Sequence, residues 1–290
     1  MSFEFDNHFE SVVKDIESFG AVSDNANRPY TASLIGEYNC KTNTCSSQCL
    51  IFDCCVLDNG HVLITDYNNQ KLKRLDSTYK LKDYCHIDTP FGVCQTEPND
   101  VAVSSWDGMK ICLVNVGNNM TLKRSFNVGV HCRGIVHHKG ELFVACGPFQ
   151  GVENTVKVYD LYDRLLRTLQ YNVSSITHMS MKYDGSNIVL AENKKGLVKL
   201  NRQGEKTSEF SDPCLKFAFG VCGSTSGDLF VCCKDSNNVV QFDKDGERIK
   251  EILTETDGIK SPVSVTFLNA PKRLILTFWS SNTIKVYTLS

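Results

Sequence analysis

Residues 62–76 read VLITDYNNQKLKRLD, in which an apolar strand, a polar turn rich in Asn and a second strand follow one another within 15 residues. This pattern predicts a β-hairpin. Five more segments have the same pattern, and successive copies begin 39 to 46 residues apart, at Val101, Leu142, Ile188, Leu229 and Leu274. Six copies of one unit indicate a repeat architecture.

Each hairpin is flanked by further strands. A strand precedes it, as in FDCCVL (52–57) and PFGVCQTE (90–97), and a more polar strand usually follows, as in TLKRSFNV (121–128). Four strands in a unit of about 40 residues are typical of a β-propeller blade. The sequence therefore predicts an all-β, six-bladed propeller over residues 33–290.

The sixth unit ends at Ser290, directly after its third strand. The segment SLIGEYN, residues 33–39, has strand character and belongs to no repeat of its own. We expect this segment to supply the missing outer strand, because an unpaired sheet edge would otherwise remain.

Residues 1–20 differ from the repeats. Apolar side chains recur there at helical spacing, at Phe5, Phe9, Val12, Ile16 and Phe19. This predicts a short amphipathic helix, followed by a linker over residues 21–32. Two roles stay open for the helix: the end of a coiled coil through which the chain self-associates, or a segment that binds a partner.

The overall composition is that of a globular protein, with 290 residues, 41% hydrophobic and 22% charged residues and a net charge of −2. No stretch approaches the roughly 18 apolar residues needed for a membrane span, and the acidic N-terminal region is unlike a signal peptide. We therefore expect a cytoplasmic protein without membrane contact, whose 14 cysteines are free thiols.

Five of these cysteines lie in NCKTNTCSSQCLIFDCC, residues 39–55. Their spacing matches no zinc knuckle, and adjacent residues of a strand, such as Cys54 and Cys55, point to opposite faces. Packing explains most of them, and we predict neither a bound metal nor a cofactor. Cys40 and Cys45, in the loop, are the exceptions for which a redox or adventitious metal role stays open.

The sequence contains no G-x-S-x-G, P-loop or H-E-x-x-H motif. Asp53 and His178 are the polar residues that the innermost strands offer, which is too few for a calcium site. We expect His178 to pack or to hydrogen-bond inside the channel. We therefore predict no catalytic residue and no enzymatic activity in this chain. A calcium-dependent propeller hydrolase ranks third among the possible functions, after the protein recognition and RNA binding that are described below.

The segments GHVLITDYNNQKLKRLD (60–76), CRGIV (132–136) and SGDLFVCCKDSNNVVQFDKDGERIKEILTETDGIKSPVSV (226–265) resemble NHL repeats. Residues 33–290 as a whole resemble the C-terminal propeller of tripartite-motif ubiquitin ligases. The resemblance implies a scaffold that recognises a protein substrate or adaptor. It also implies that ligase activity would need a RING domain, whose Cys and His spacing is absent here.

Aligning the repeats puts six residues at one position after the second strand, namely Tyr67, Trp106, Gly147, Asn193, Lys234 and Trp279. Aromatic residues on a loop face favour recognition, although they would also serve to cover neighbouring blades. The predicted binding residues are Tyr67, Phe91, Trp106, Arg133, Lys195, Lys234 and Trp279. Rings beside cations also suit single-stranded RNA, which some NHL propellers bind, but Asp107 and Asp235 weaken the positive field there.

Overall fold

The computed structural model describes residues 28–148, 154–173, 175–181, 184–193 and 195–290. Within these ranges 24 strands form six four-stranded antiparallel sheets, and the single helical segment is a 3-10 turn, Glu255–Asp257. The predicted helix of residues 1–20, and most of the predicted linker, lie outside the described residues.

The strands follow one another in chain order through the sheets. The first strand is β1 (Ala32–Asn39). The first blade consists of β2 (Ile51–Val56), β3 (Val62–Asp66), β4 (Lys71–Leu75) and β5 (Leu81–His86). The second consists of β6 (Pro90–Glu97), β7 (Asp100–Ser105), β8 (Lys110–Asn115) and β9 (Thr121–Asn127). The third consists of β10 (Cys132–His138), β11 (Glu141–Cys146), β12 (Asn154–Asp160) and β13 (Leu165–Val173). The fourth blade consists of β14 (Ile176–Met181), β15 (Asn187–Glu192), β16 (Gly196–Asn201) and β17 (Lys206–Phe210). The fifth consists of β18 (Ala218–Gly223), β19 (Leu229–Cys233), β20 (Asn238–Phe242) and β21 (Arg248–Leu253). The sixth consists of β22 (Pro262–Asn269), β23 (Lys272–Phe278) and β24 (Thr283–Leu289), together with β1.

The six sheets form a closed ring. The first strand of each blade contacts the first strands of the blades on either side, and β22 contacts β2. The apolar clusters lie between neighbouring blades, as where Leu63 and Leu72 of the first blade pack with Val101 and Val103 of the second. The predicted six-bladed propeller is confirmed.

Strand β1 completes the sixth blade. It pairs with β24 in antiparallel register from Ala32–Leu289 to Asn39–Thr283. The backbone groups of Thr31 and Ser290 exchange two hydrogen bonds of 3.0 and 3.1 Å. The prediction that residues 33–39 supply the outer strand is therefore confirmed.

Burial follows strand position within a blade. All five residues of the second strand β3 are buried, because sheets pack on both of its faces, whereas the outer strand β5 alternates between half-buried and exposed positions. Within the part of the chain that the structure describes, no helix combines the length and the apolar composition needed to cross a bilayer.

Each innermost strand has a register irregularity close to its start, where the strand reaches the channel. Buried hydroxyl groups satisfy the displaced backbone. Thr65 Oγ1 accepts the N–H of Asp53 at 3.0 Å and donates to the carbonyl oxygen of Phe91 in the next blade at 2.7 Å. Thr277 makes the same pair of bonds, to Ser264 N–H and to the carbonyl of Ile51. These hydroxyls therefore link successive blades around the channel.

Candidate functional site

The turns that follow the second strands are equivalent in all six blades. In each blade, the first residue of the turn donates its backbone N–H to the carbonyl oxygen of the residue just before the innermost strand, over 2.9 to 3.2 Å. The six donors are Tyr67, Trp106, Gly147, Asn193, Lys234 and Trp279. The alignment of these positions from the repeats is thereby confirmed.

Three of these side chains converge on one apolar pocket of about 250 Å³, which we call the aromatic pocket. Its lining residues are Leu50, Phe52, Tyr67, Phe91, Trp106 and Trp279. The buried rings of Phe52 and Phe91 are stacked, with centroids 4.2 Å apart. Tyr67 and Trp279 meet Phe52 edge-on, at 5.4 and 5.7 Å. Stacked and edge-to-face contacts of this kind stabilise the ring positions.

Two aromatic rings of the aromatic pocket also contact residues outside the pocket lining. The Tyr67 hydroxyl donates to Asp107 Oδ2 at 2.7 Å, across the boundary between the first and second blades. Burial together with this hydrogen bond raises the pKa of Tyr67 to about 12, so the phenol remains a neutral donor. The Trp106 ring stacks on His131 with centroids 4.6 Å apart. The pocket is therefore ordered before any ligand arrives.

Two cations lie against the tryptophan rings. Lys234 Nζ is 4.4 Å from the ring centroid of Trp279, and Arg133 Cζ is 5.2 Å from that of Trp106. Arg133 is fully buried and donates to the carbonyl oxygen of Gly147 at 3.0 Å and to Asn154 Oδ1 at 2.5 Å. Burial lowers the pKa of Arg133 to about 10. This value is still well above neutral pH, so the guanidinium remains charged.

The structure therefore brings together most of the residues predicted from the sequence. Tyr67, Phe91, Trp106 and Trp279 line the aromatic pocket, and Lys234 lies at its rim against Trp279. Phe91 and Arg133 were expected on the surface, but both are buried, because the second residue of an innermost strand points into the packed mouth of the channel. Lys195 is exposed in the turn of the fourth blade and is not part of the pocket lining.

Two lining residues were missed, Leu50 and Phe52. In the sequence, Phe52 reads as a core residue of an innermost strand, and Leu50 as an apolar residue just before that strand. The signal for Phe52 was nevertheless present in the repeats, since Phe52, Phe91 and Phe219 are each the second residue of such a strand. Phe219 stacks beyond Phe52, with centroids 6.0 Å apart.

A polar layer follows one residue deeper in the channel. Asp53 Oδ1 lies 3.0 Å from His178 Nε2, accepts the Ser264 hydroxyl at 3.1 Å, and accepts the N–H of Cys54 at 2.8 Å. Asp53 Oδ2 accepts the N–H of Val93 at 2.9 Å. The predicted hydrogen-bonding role of His178 inside the channel is confirmed.

This layer has the groups for proton transfer but not for a hard cation. A carboxylate only accepts hydrogen bonds, so His178 carries a proton on Nε2, and no residue that the structure describes hydrogen-bonds to its buried Nδ1. The Ser264 hydroxyl donates to Asp53 rather than to His178, so Ser264 and His178 do not form a nucleophile–base pair. Calcium takes six to eight oxygen ligands, which the single carboxylate of this layer does not provide. A cavity of about 250 Å³ borders the layer on the side of Cys55 and Cys222.

A second cluster lies in the loop between β1 and β2. Among the described residues, one group has donor atoms close enough for a metal: Cys45 Sγ, Cys49 Sγ and a carboxylate oxygen of Asp66 all lie within 4.8 Å of one another. Lys73 Nζ is 2.5 Å from Asp66 Oδ2 and 3.3 Å from Cys49 Sγ. An ammonium group therefore already compensates the charge that a cation would neutralise.

None of the 14 cysteines, all of which lie in described residues, forms a disulfide. Cys40 is fully buried, and desolvation raises its pKa to about 12, so it packs as a neutral thiol. Cys45 is only partly buried, in contrast to Cys40.

Comparison with known proteins gives likeness in structure only. No family model matches the sequence, and no curated protein matches it. A virginiamycin B lyase from Staphylococcus aureus has a similar structure, with a TM-score of 0.65 and 12% identity over 90% of this chain and 100% of the lyase. A gluconolactonase from Xanthomonas campestris has a TM-score of 0.69 and 12% identity over 91% of this chain and 98% of that protein.

These comparisons correct one prediction and leave another untested. The absence of catalytic motifs led us to predict no enzymatic activity, but both of these structural neighbours are enzymes on the same fold. Motif absence is therefore no ground for excluding catalysis on a six-bladed propeller. The resemblance to tripartite-motif ligases stays a prediction, because at 12% identity the likeness shows the fold alone.

Proposed function

We propose that this propeller recognises a partner protein by binding an apolar or aromatic side chain in the aromatic pocket. The observation that supports this is the convergence of Tyr67, Trp106 and Trp279 on one pocket at the mouth of the channel. The sequence resemblance suggests substrate or adaptor recognition for a tripartite-motif ligase as its setting.

The size and chemistry of the pocket favour a single side chain as its occupant. Its volume of about 250 Å³ lies below the roughly 300–1,000 Å³ of pockets that enclose a whole drug-sized ligand. Trp279 is 40% exposed, so an incoming ring or branched chain would cover apolar surface that water now contacts. Lys234 at the rim favours a carboxylate beside that anchor.

Selection from a random peptide library, followed by calorimetry of the selected peptide, tests this proposal. We expect an aromatic or branched anchor next to Asp or Glu. Trp106→Ala and Trp279→Ala should each weaken binding about tenfold or more, as expected of central aromatic anchors. Tyr162→Ala is the matched control, because that ring is 82% exposed in the turn between β12 and β13 of the third blade.

The same variants distinguish a protein ligand from single-stranded RNA. An RNA ligand would bind with a salt slope of roughly −0.7 per phosphate neutralised, whereas an apolar anchor would show little salt dependence. Salt-sensitive binding of an RNA pool that is lost in Trp279→Ala, with no peptide selected, would contradict protein recognition and favour RNA.

A second candidate function is acid–base catalysis in the channel, and the hydrogen-bonded pair of Asp53 and His178 favours it. The Asp53 carboxylate orients the imidazole and leaves Nδ1 as a basic nitrogen. Because one structural neighbour is a gluconolactonase, simple lactones are the first substrates to test, with and without Ca²⁺. Turnover that is lost in His178→Asn and kept in Trp279→Ala would support this function, and equal rates in both variants would contradict it.

A further inference from the structure

Cys45 and Cys49 lie in the connection between β1 and β2, where no residue belongs to a strand. Their sulfur atoms are at most 4.8 Å apart. The residues around Cys45 are mostly exposed, including Thr44, Ser46, Ser47 and Gln48, whereas Cys49 is fully buried. One thiol of the pair is therefore accessible from solvent, and the other lies behind it.

The surroundings of Cys45 favour a thiolate. Its sulfur lies 3.1 Å from the Thr42 hydroxyl, accepts the Thr42 backbone N–H at 3.4 Å, and lies 3.8 Å from Lys71 Nζ. Partial burial opposes ionisation, but the bonds from Thr42 and the nearby charge of Lys73 outweigh it and lower the pKa of the Cys45 thiol. Reactive cysteines are typically found in such electropositive, partly exposed places.

Cys49 has the opposite character. Its sulfur contacts Lys73 Nζ at 3.3 Å, but burial and the Asp66 carboxylate raise its pKa to about 12, so it remains a thiol. The Lys73–Asp66 ion pair is fully buried and holds this side of the cluster in place. An accessible thiolate beside a protected thiol is the arrangement of an attacking and a resolving cysteine.

We propose that Cys45 is a site of oxidation by peroxides and that Cys49 resolves the product to a Cys45–Cys49 disulfide. This oxidation modifies the loop that leads directly into β2, and it requires neither the aromatic pocket nor catalysis in the channel.

The reaction balances as two steps. The Cys45 thiolate attacks a peroxide oxygen, so that an S–O bond forms, the O–O bond breaks, and the leaving alkoxide or hydroxide takes a proton from water. The sulfur loses two electrons, and the peroxide is reduced. The Cys49 sulfur then attacks the Cys45 sulfenic acid, the S–S bond forms, and hydroxide leaves with the Cys49 proton as water.

The geometry permits the second step with a local movement. A disulfide requires a sulfur–sulfur distance of about 2.05 Å, so the two sulfur atoms must approach by up to about 2.7 Å. The exposed residues 46–48 between them belong to no strand and can accommodate this change.

Alkylation of the intact protein with iodoacetamide tests the reactivity of Cys45. We expect Cys45 to react faster at pH 7 than Cys214, which is also partly buried but whose pKa burial and Asp212 raise to about 12. Thr42→Val removes the hydroxyl near the sulfur and should slow the reaction of Cys45 about three- to tenfold without slowing that of Cys214. Equal rates for Cys45 and Cys214 would overturn the proposal.

Peptide mapping after treatment with hydrogen peroxide tests the disulfide. Cleavage after Lys41 and before Asp53 releases residues 42–52, which contain Cys45 and Cys49 and no other cysteine. We expect this peptide to lack both alkyl groups after oxidation and to regain them after reduction. Cys45→Ser should leave Cys49 alkylated. Recovery of the oxidised wild-type peptide with both residues alkylated, or with Cys45 as a sulfinic acid and Cys49 alkylated, would overturn the proposal.

Discussion

Gly92 lies where the innermost strands of the second and third blades approach each other. A Cβ atom at this position would be 2.6 Å from the carbonyl oxygen of Arg133, and backbone cannot move aside as a flexible side chain can. We expect Gly92→Ala to lower the free energy of unfolding by about 1–3 kcal/mol. Denaturant unfolding measures this. Gly223→Ala is the control, because a Cβ there meets nothing closer than 3.8 Å; equal losses in both variants would contradict the steric explanation.

Glu141 joins the third blade to the fourth through an arginine from each. Its carboxylate accepts Arg167 at 2.6 and 3.0 Å and also accepts Arg202. The hydrogen bond from Arg167, opposed by burial and assisted by Arg202, lowers the pKa of Glu141 to about 2. A carboxyl group whose pKa is lower in the folded than in the unfolded protein stabilises the fold fully at pH values above its unfolded pKa, here 4.5. This stabilisation is lost as the pH falls toward the pKa of the folded state, here about 2.

We therefore expect Glu141→Gln to cost on the order of 2 kcal/mol at neutral pH and progressively less as the pH falls from about 4.5 to about 2. Unfolding curves over this pH range measure the difference. Glu209→Gln removes an exposed pair with Lys206 and should cost less than about 0.5 kcal/mol. A cost for Glu141→Gln that does not change with pH would show that the charge is not responsible.

Single residues were predictable where the repeats give each position six examples. Tyr67, Trp106 and Trp279 were found in this way, because the turn after the second strand recurs in register. The burial of Arg133 was not predictable, since two of its partners, the Ser175 hydroxyl and the carbonyl oxygen of Ile176, belong to the fourth blade and become neighbours only when the blades assemble. The environment of Cys45 likewise depends on Lys71 and Lys73, which reach the loop from β4.

At the scale of elements, β1 is the strand on which the sixth blade depends. It covers β24, and the Tyr38 ring packs against Tyr79 of the first blade with centroids 4.8 Å apart. Deleting residues 30–40 should leave a sheet edge unpaired and expose the apolar cluster that contains Ile284 and Val286. We expect a lower thermal midpoint for the whole propeller. Leu34→Ser, at a 52% exposed position of the same strand, should change it little; an unchanged midpoint after the deletion would contradict the role of β1.

Strands and hairpins were predictable because alternation and turn composition are local properties of the sequence. The irregularities of the innermost strands were not predicted. They depend on hydroxyl groups such as that of Thr65, which reaches both its own blade and the next one. No local pattern distinguishes this buried Thr from one that merely favours a strand.

At the scale of the whole molecule, the number of blades and the closing strand followed from the repeats, whereas contacts across the channel did not. Asp53 and His178 are 125 residues apart in the sequence and meet because the first and fourth blades face each other. Asp53 also accepts a hydrogen bond from Ser264 of the sixth blade. Neither contact could be predicted without the assembled ring, because the three residues come from three different blades.

The antiparallel pairing of β1 with β24 also determines how the molecule would respond to mechanical force. Thr31 and Ser290 are hydrogen-bonded at the same end of this strand pair. Tension applied between these two residues would load the hydrogen bonds one after another, as in opening a zipper, instead of shearing all of them at once. A small force applied at these two residues would therefore separate β1 from β24 first and open the ring at the sixth blade.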